Sequence, residues 1–97
     1  MPIDQKRREI DVIDANIADL LNRRAAVAKE ISMLKLSAGL PIVDEQREDD
    51  VLRGLARATH GEISHAAMAR IYRAILDESR LVQASLRTEL AANGANK

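Results

Sequence analysis

Residues 10–35 read IDVIDANIADLLNRRAAVAKEISMLK. Apolar side chains recur at Ile10, Ile13, Ile17, Leu20, Val27, Ile31 and Leu34, with steps of three, four, three, seven, four and three. This is a heptad seam with one position missing, and Arg24 stands in the gap. No glycine or proline breaks the run from about Asp4 to about Ala38. A helix of roughly 35 residues is about 50 Å long. A compact chain of this size has a radius of gyration of only about 13 Å. A helix that outruns its own subunit must cover its apolar seam with a partner, so this stretch predicts an all-α oligomer.

Working outward, Gly39 and Pro41 mark a loop. Asp44 reads as a helix N-cap, with Glu45 and Glu48 at the positive end of the dipole. A second helix over 44–60 carries Val51, Leu52, Leu55 and Ala58 on one side, and Gly61 suits its C-terminal cap. Ser64 caps a third helix over 64–92, whose apolar stripe is Met68, Ile71, Ile75, Val82, Leu86 and Leu90. Ser79 interrupts that stripe as Arg24 interrupts the first. The tail from Asn93 to Lys97 reads as frayed. No strand pattern, repeat or low-complexity segment is visible.

Composition narrows the function classes. Ninety-seven residues make one domain, 1–97. Fifteen basic residues balance fifteen acidic ones, so no net field favours nucleic acid or an anionic membrane. Without cysteine there is no disulfide framework, thiol nucleophile or thiolate metal site. Tyr72 alone cannot build a base-stacking platform. The polar start and the lack of a long apolar run lead to the expectation of a soluble, cytoplasmic protein. His60 and His65 flank a loop without the partners of a metal site. No phosphate-binding glycine loop, dinucleotide fingerprint or nucleophilic triad is present, so no cofactor is expected.

What remains is a set of polar groups in helical faces. An unpaired buried guanidinium at Arg24 is costly. Lys35, eleven residues on, projects from nearly the same face, about 16 Å along the axis. The two could converge on a small anion; alternatively Arg24 pairs with a glutamate across the interface and Lys35 snorkels to solvent. Asp44, Arg47 and Glu48 share one turn, which capping and an intrahelical ion pair would also explain. Ser79 and Gln83 share a face of the third helix. Arg7 is about 25 Å along the helix from Arg24, so it could join the same site only from another subunit.

Taken in order, Arg7, Ile13-Asp14, Arg23-Arg24, Lys35, Pro41-Ile42-Val43-Asp44-Glu45-Gln46-Arg47-Glu48 and Glu78-Ser79-Arg80-Leu81-Val82-Gln83 resemble the all-α (AroQ-type) chorismate mutases. The resemblance runs from about Arg7 to Leu86. It implies a three-helix subunit with a very long first helix, and an intertwined homodimer with one arginine of each site crossing from the partner. It implies an isomerase of phenylalanine and tyrosine biosynthesis, in the shikimate pathway, with chorismate as substrate and no cofactor. By resemblance, Arg7 of the neighbouring chain and Arg24 bind the two substrate carboxylates. Lys35 reaches a carboxylate and the ether oxygen, and Gln83 donates to that oxygen. Glu48 and the Asp44 backbone hold the ring hydroxyl, and Ser79 and Arg47 complete the carboxylate side. Some relatives carry a glutamate at the Gln83 position; a neutral amide donates at any pH. The heptad register favours Arg24 over Arg23 as the inward residue.

The same fold also serves isochorismate-pyruvate lyase and aminodeoxychorismate mutase, and Glu48 favours the mutase over the lyase. A helical dimer without catalysis is the alternative from another class. Members of the family occur fused to, or in complex with, shikimate-pathway enzymes, so a partner enzyme belongs among the expectations.

Overall fold

Helix α1 (Pro2–Ala38) accounts for 37 residues of the computed structural model, which describes residues 1–41, 43–58 and 61–95. Pro2 sits in its first turn, where a missing N–H costs nothing. Gly39 ends it with φ 72° and ψ 23°, a left-handed conformation that glycine adopts without a Cβ clash. The amides of Gly39 and Leu40 then cap Leu36 O and Lys35 O at 3.2 and 2.8 Å. Helix α2 (Glu45–Ala58) starts where the Asp44 carboxylate accepts the Arg47 amide at 3.1 Å. Helix α3 (His65–Ala95) starts where the Ser64 hydroxyl oxygen accepts the Ala67 amide at 3.1 Å. No strand occurs among the described residues.

Several details differ from the sequence expectation. Helix α1 begins two residues before Asp4. Helix α3 continues through Ala95, so the stretch read as frayed is helical that far. Helix α2 ends at Ala58, which is exposed rather than on the packed side. The expected Gly61 cap depends on the junction with Thr59 and His60, which lies outside the described residues. In α3, Leu76 takes the buried place and Ile71 stays 47% exposed.

The packing order explains this rotation. Helix α3 lies against both α1 and α2, while α1 and α2 have no direct backbone approach. A helix with two neighbours needs two apolar stripes, and Leu76 and Leu86 sit where they serve the pair. On α1, the residues turned toward α3 are small: Ala25, Ala28 and the fully buried Ser32. Their size lets the two backbones approach, and the Ser32 hydroxyl is satisfied by donating to Ala28 O at 3.0 Å.

The heptad seam of α1 is not part of this packing. Ile10, Ile13, Ile17, Leu20, Val27, Ile31 and Leu34 are all between 45% and 70% exposed. The chain extends 61 Å along its major axis with a radius of gyration of 17.4 Å. Both values exceed those of a compact chain of this length. A contiguous apolar row of this size on a lone subunit marks an interaction surface.

Candidate active site

The two polar gaps found in separate apolar stripes meet. Arg24 Nη1 donates to Ser79 Oγ at 2.5 Å, across 55 residues of sequence. The same hydroxyl donates onward to Ile75 O at 3.1 Å. One serine therefore both accepts and donates, which fixes the guanidinium against α3. Arg24 is half-buried and Arg23 is exposed, so the inward member of the pair is the one the heptad register favours.

Beside this contact lies a cavity of about 260 Å³. Its floor is α3, and its walls are the ends of α1 and α2 that α3 holds apart. Arg24 and Lys35 come from α1, Asp44, Arg47 and Glu48 from the start of α2, and Ser79 and Gln83 from α3. Val27, Ile31, Val51 and Leu76 supply an apolar lining between them. Of the eight residues singled out in the sequence, the structure brings these seven to one cavity. Arg7 is the eighth; it lies on the exposed N-terminal half of α1, outside the cavity of its own chain.

Glu48 is placed differently from the intrahelical pairing that its spacing suggested. Its carboxylate accepts two hydrogen bonds from Arg80, Nε to Oε2 at 2.8 Å and Nη2 to Oε1 at 2.7 Å. Arg73 Nη1 stands 3.5 Å from Oε1. The hydrogen bonds from Arg80 are the main reason that the Glu48 carboxyl lies below its ordinary range. The charges of Arg80 and Arg73 add to them, against burial and the nearby Asp44 carboxylate. Arg80 also lines the cavity, beside the residues that the sequence pointed to. It sits beside Ser79 in the stretch 78–83, on a helix that carries several other charges, so the sequence pattern does not single it out.

The cavity wall thus carries four cations, Arg24, Lys35, Arg47 and Arg80, against two carboxylates. With Arg80 committed to Glu48, the excess is two positive charges, suited to a small dianion. Among the described residues, no group of histidines and carboxylates is arranged to hold a metal ion. None of the described helices is long and apolar enough to cross a membrane.

Residues 6–84 match the family described as chorismate mutase type II. The chain belongs to that family. A bifunctional chorismate mutase/prephenate dehydratase of Aquifex aeolicus is 39% identical over 74 residues, 72% of this chain and 20% of that protein. A 3-dehydroquinate dehydratase of Pyrobaculum aerophilum is 43% identical over 47 residues, 48% of this chain and 16% of that protein. The chain therefore spans a fifth or less of these curated relatives. A chorismate mutase structure from Thermus thermophilus superposes with a TM-score of 0.84 at 26% identity, covering 86% of this chain and 94% of the other. The all-α, three-helix architecture expected for chorismate mutases from the sequence is the one observed.

Proposed function

We propose that residues 1–97 form one chorismate mutase domain that converts chorismate to prephenate in aromatic amino acid biosynthesis. The observation that carries this reading is the convergence of Arg24, Lys35, Glu48 and Gln83 from three helices on one cavity with two excess positive charges. Chorismate is a small dicarboxylate with a ring hydroxyl and an ether bridge. Its rearrangement is intramolecular: the ether C–O bond breaks while a C–C bond forms. It needs neither proton transfer nor nucleophile.

Catalysis is then positioning plus electrostatics. Arginines bind carboxylates with two parallel hydrogen bonds, and Arg24 is already fixed by Ser79. Holding both carboxylates folds the enolpyruvyl arm over the ring, which selects the reactive conformer. Negative charge grows on the ether oxygen as the C–O bond stretches. Lys35 and Gln83 aimed there stabilise the transition state more than the ground state, and one such donor is worth about 3 to 4 kcal/mol. Glu48 accepts from the ring hydroxyl, the Asp44 backbone helps to hold that hydroxyl, and Arg47 supports the carboxylate side.

The active unit is a homodimer. Two copies pair along the exposed α1 row of Ile10, Ile13, Ile17 and Leu20. The partner's Arg7 closes the open side of the cavity and completes the second carboxylate site. A cytoplasmic location accompanies this reading. So does the expectation of a partner enzyme from the shikimate pathway.

The deciding experiment is an assay of purified protein with chorismate, with chromatography of the products and isochorismate in a parallel tube. Prephenate is the expected product. Pyruvate and salicylate from isochorismate, with little prephenate, would move the chain to the lyase activity. Silence in both tubes would leave a partner-dependent enzyme or a non-catalytic dimer.

A further inference from the structure

We propose that Arg80 is the positioning residue of the site, acting on the ring hydroxyl of the substrate only through Glu48. This rests on the mutase reading above, in which Glu48 is the hydroxyl acceptor.

A carboxylate has a limited acceptor capacity. Two oxygens offer about four lone-pair positions. Arg80 occupies one on each oxygen, in a fork whose two bonds are 2.8 and 2.7 Å. Arg73 crowds the same oxygen, Oε1, at 3.5 Å. Oε2 is left as the less encumbered acceptor, with capacity for one further donor. A single hydroxyl supplies one donor. The fork also fixes the carboxylate plane, because a bidentate guanidinium admits only one relative orientation.

Burial supports the same division of labour. The Glu48 side chain is 13% exposed, while those of Arg80 and Arg73 are 39% and 50% exposed. The acceptor is thus shielded and its counter-charges reach it from the rim. A glutamate on the first turn of α2 would otherwise have several rotamers across the cavity mouth. Arg80 selects one of them before substrate arrives, so the acceptor needs no reorganisation during the reaction.

Charged groups surround Glu48 from all three helices. Arg73 and Arg80 face it from α3, Arg24 and Lys35 share its cavity from α1, and Asp44 and Arg47 flank it at the start of α2. Removing Arg80 takes away the largest influence holding the carboxyl ionised. The acid limb of kcat/KM should then move to higher pH.

A double-mutant cycle on chorismate turnover tests the assignment. Arg80→Met should lower kcat/KM about ten- to a hundredfold, the usual worth of a hydrogen bond to a charged group. Glu48→Gln alone should cost more. In the Glu48→Gln background, Arg80→Met should add almost nothing, because its route to the ring hydroxyl through the Glu48 carboxylate is gone. Arg80→Lys should return the acid limb toward the wild-type pH while recovering only part of kcat/KM, since lysine restores charge but not the fork. Circular dichroism of each variant checks that helix content is kept. If Arg80→Met loses helix, Arg80→Gln enters the cycle in its place. Additive losses in the cycle, or an unmoved acid limb with full activity, would overturn the role of Arg80 while leaving the mutase reading intact. A wild-type chain without prephenate formation would overturn both.

Discussion

The two halves of α1 are built for different neighbours. From Ile3 to Leu20 the helix exposes large aliphatic side chains at heptad spacing, and none of them is buried by the described residues. From Arg24 to Leu36 the exposed seam continues through Val27, Ile31 and Leu34, but a second row now faces α3, made of Ala25, Ala28 and Ser32 and ended by polar groups that reach the cavity. Large residues at a seam favour two helices held apart by interlocking side chains. Small residues favour one close backbone approach. A single uninterrupted helix therefore separates its interface with a second copy from its interface with its own chain by residue size. Arg24 stands at the changeover, where a charge can serve a site between the two.

The largest effect should come from breaking the N-terminal half. Ile17→Asp places a carboxylate in the seam of both copies of the dimer. At about 3 kcal/mol per copy, the dimer loses roughly 6 kcal/mol, or about four orders of magnitude in Kd. Sedimentation velocity should show monomer, and turnover should vanish with the loss of the partner's Arg7. A dimer that survives this substitution would mean that the apolar row is covered by something else. Next in size is the changeover itself. Arg24→Leu restores the heptad and should leave the dimer at least as stable, yet abolish prephenate formation. Retained turnover in that variant would break the link between the gap in the seam and the site. Third is the C-terminal half. Ser32→Leu forces volume into the close approach and should cost about 1 to 3 kcal/mol. That corresponds to about 4 to 8 °C in Tm for each kcal/mol. Ser32→Ala should be nearly silent in the same melt.

Much of this division could be read from residue order, and the part that could not has a physical cause. The long helix, its missing tooth at Arg24, the Asp44 and Ser64 caps and the Gly39 stop all follow from spacing within one element. That Arg24 and Ser79 each break an apolar stripe was legible, but their meeting was not, because it depends on how α1 and α3 face each other. The small row Ala25, Ala28 and Ser32 was hidden behind the stronger heptad beside it. Leu76 was missed for a similar reason, because one helix packed on two others has no single stripe. The Arg80–Glu48 fork spans 32 residues and joins two helices. Periodicity within either helix says nothing of the rotation at which they face each other, so Glu48 read as a partner for its own turn.

The smallest expected effect separates the two regions by pH. The N-terminal seam is aliphatic and has no titrating group in its apolar row. The α2–α3 contact depends on Glu48, whose folded carboxyl titrates below its ordinary value. A depressed folded value means that the unfolded chain binds the proton more readily. The stabilisation is therefore complete above the ordinary carboxylate range, and it is lost as pH falls through that range to the folded value. Amide exchange should report this locally. On acidification below about pH 4, protection in α2 should fall before protection around Ile13 and Ile17. Glu48→Gln should remove most of that difference, because a neutral amide has nothing to titrate. Equal loss of protection in both regions would instead mean that the chain opens as one cooperative unit, with the dimer seam and the cavity wall tied together through α3.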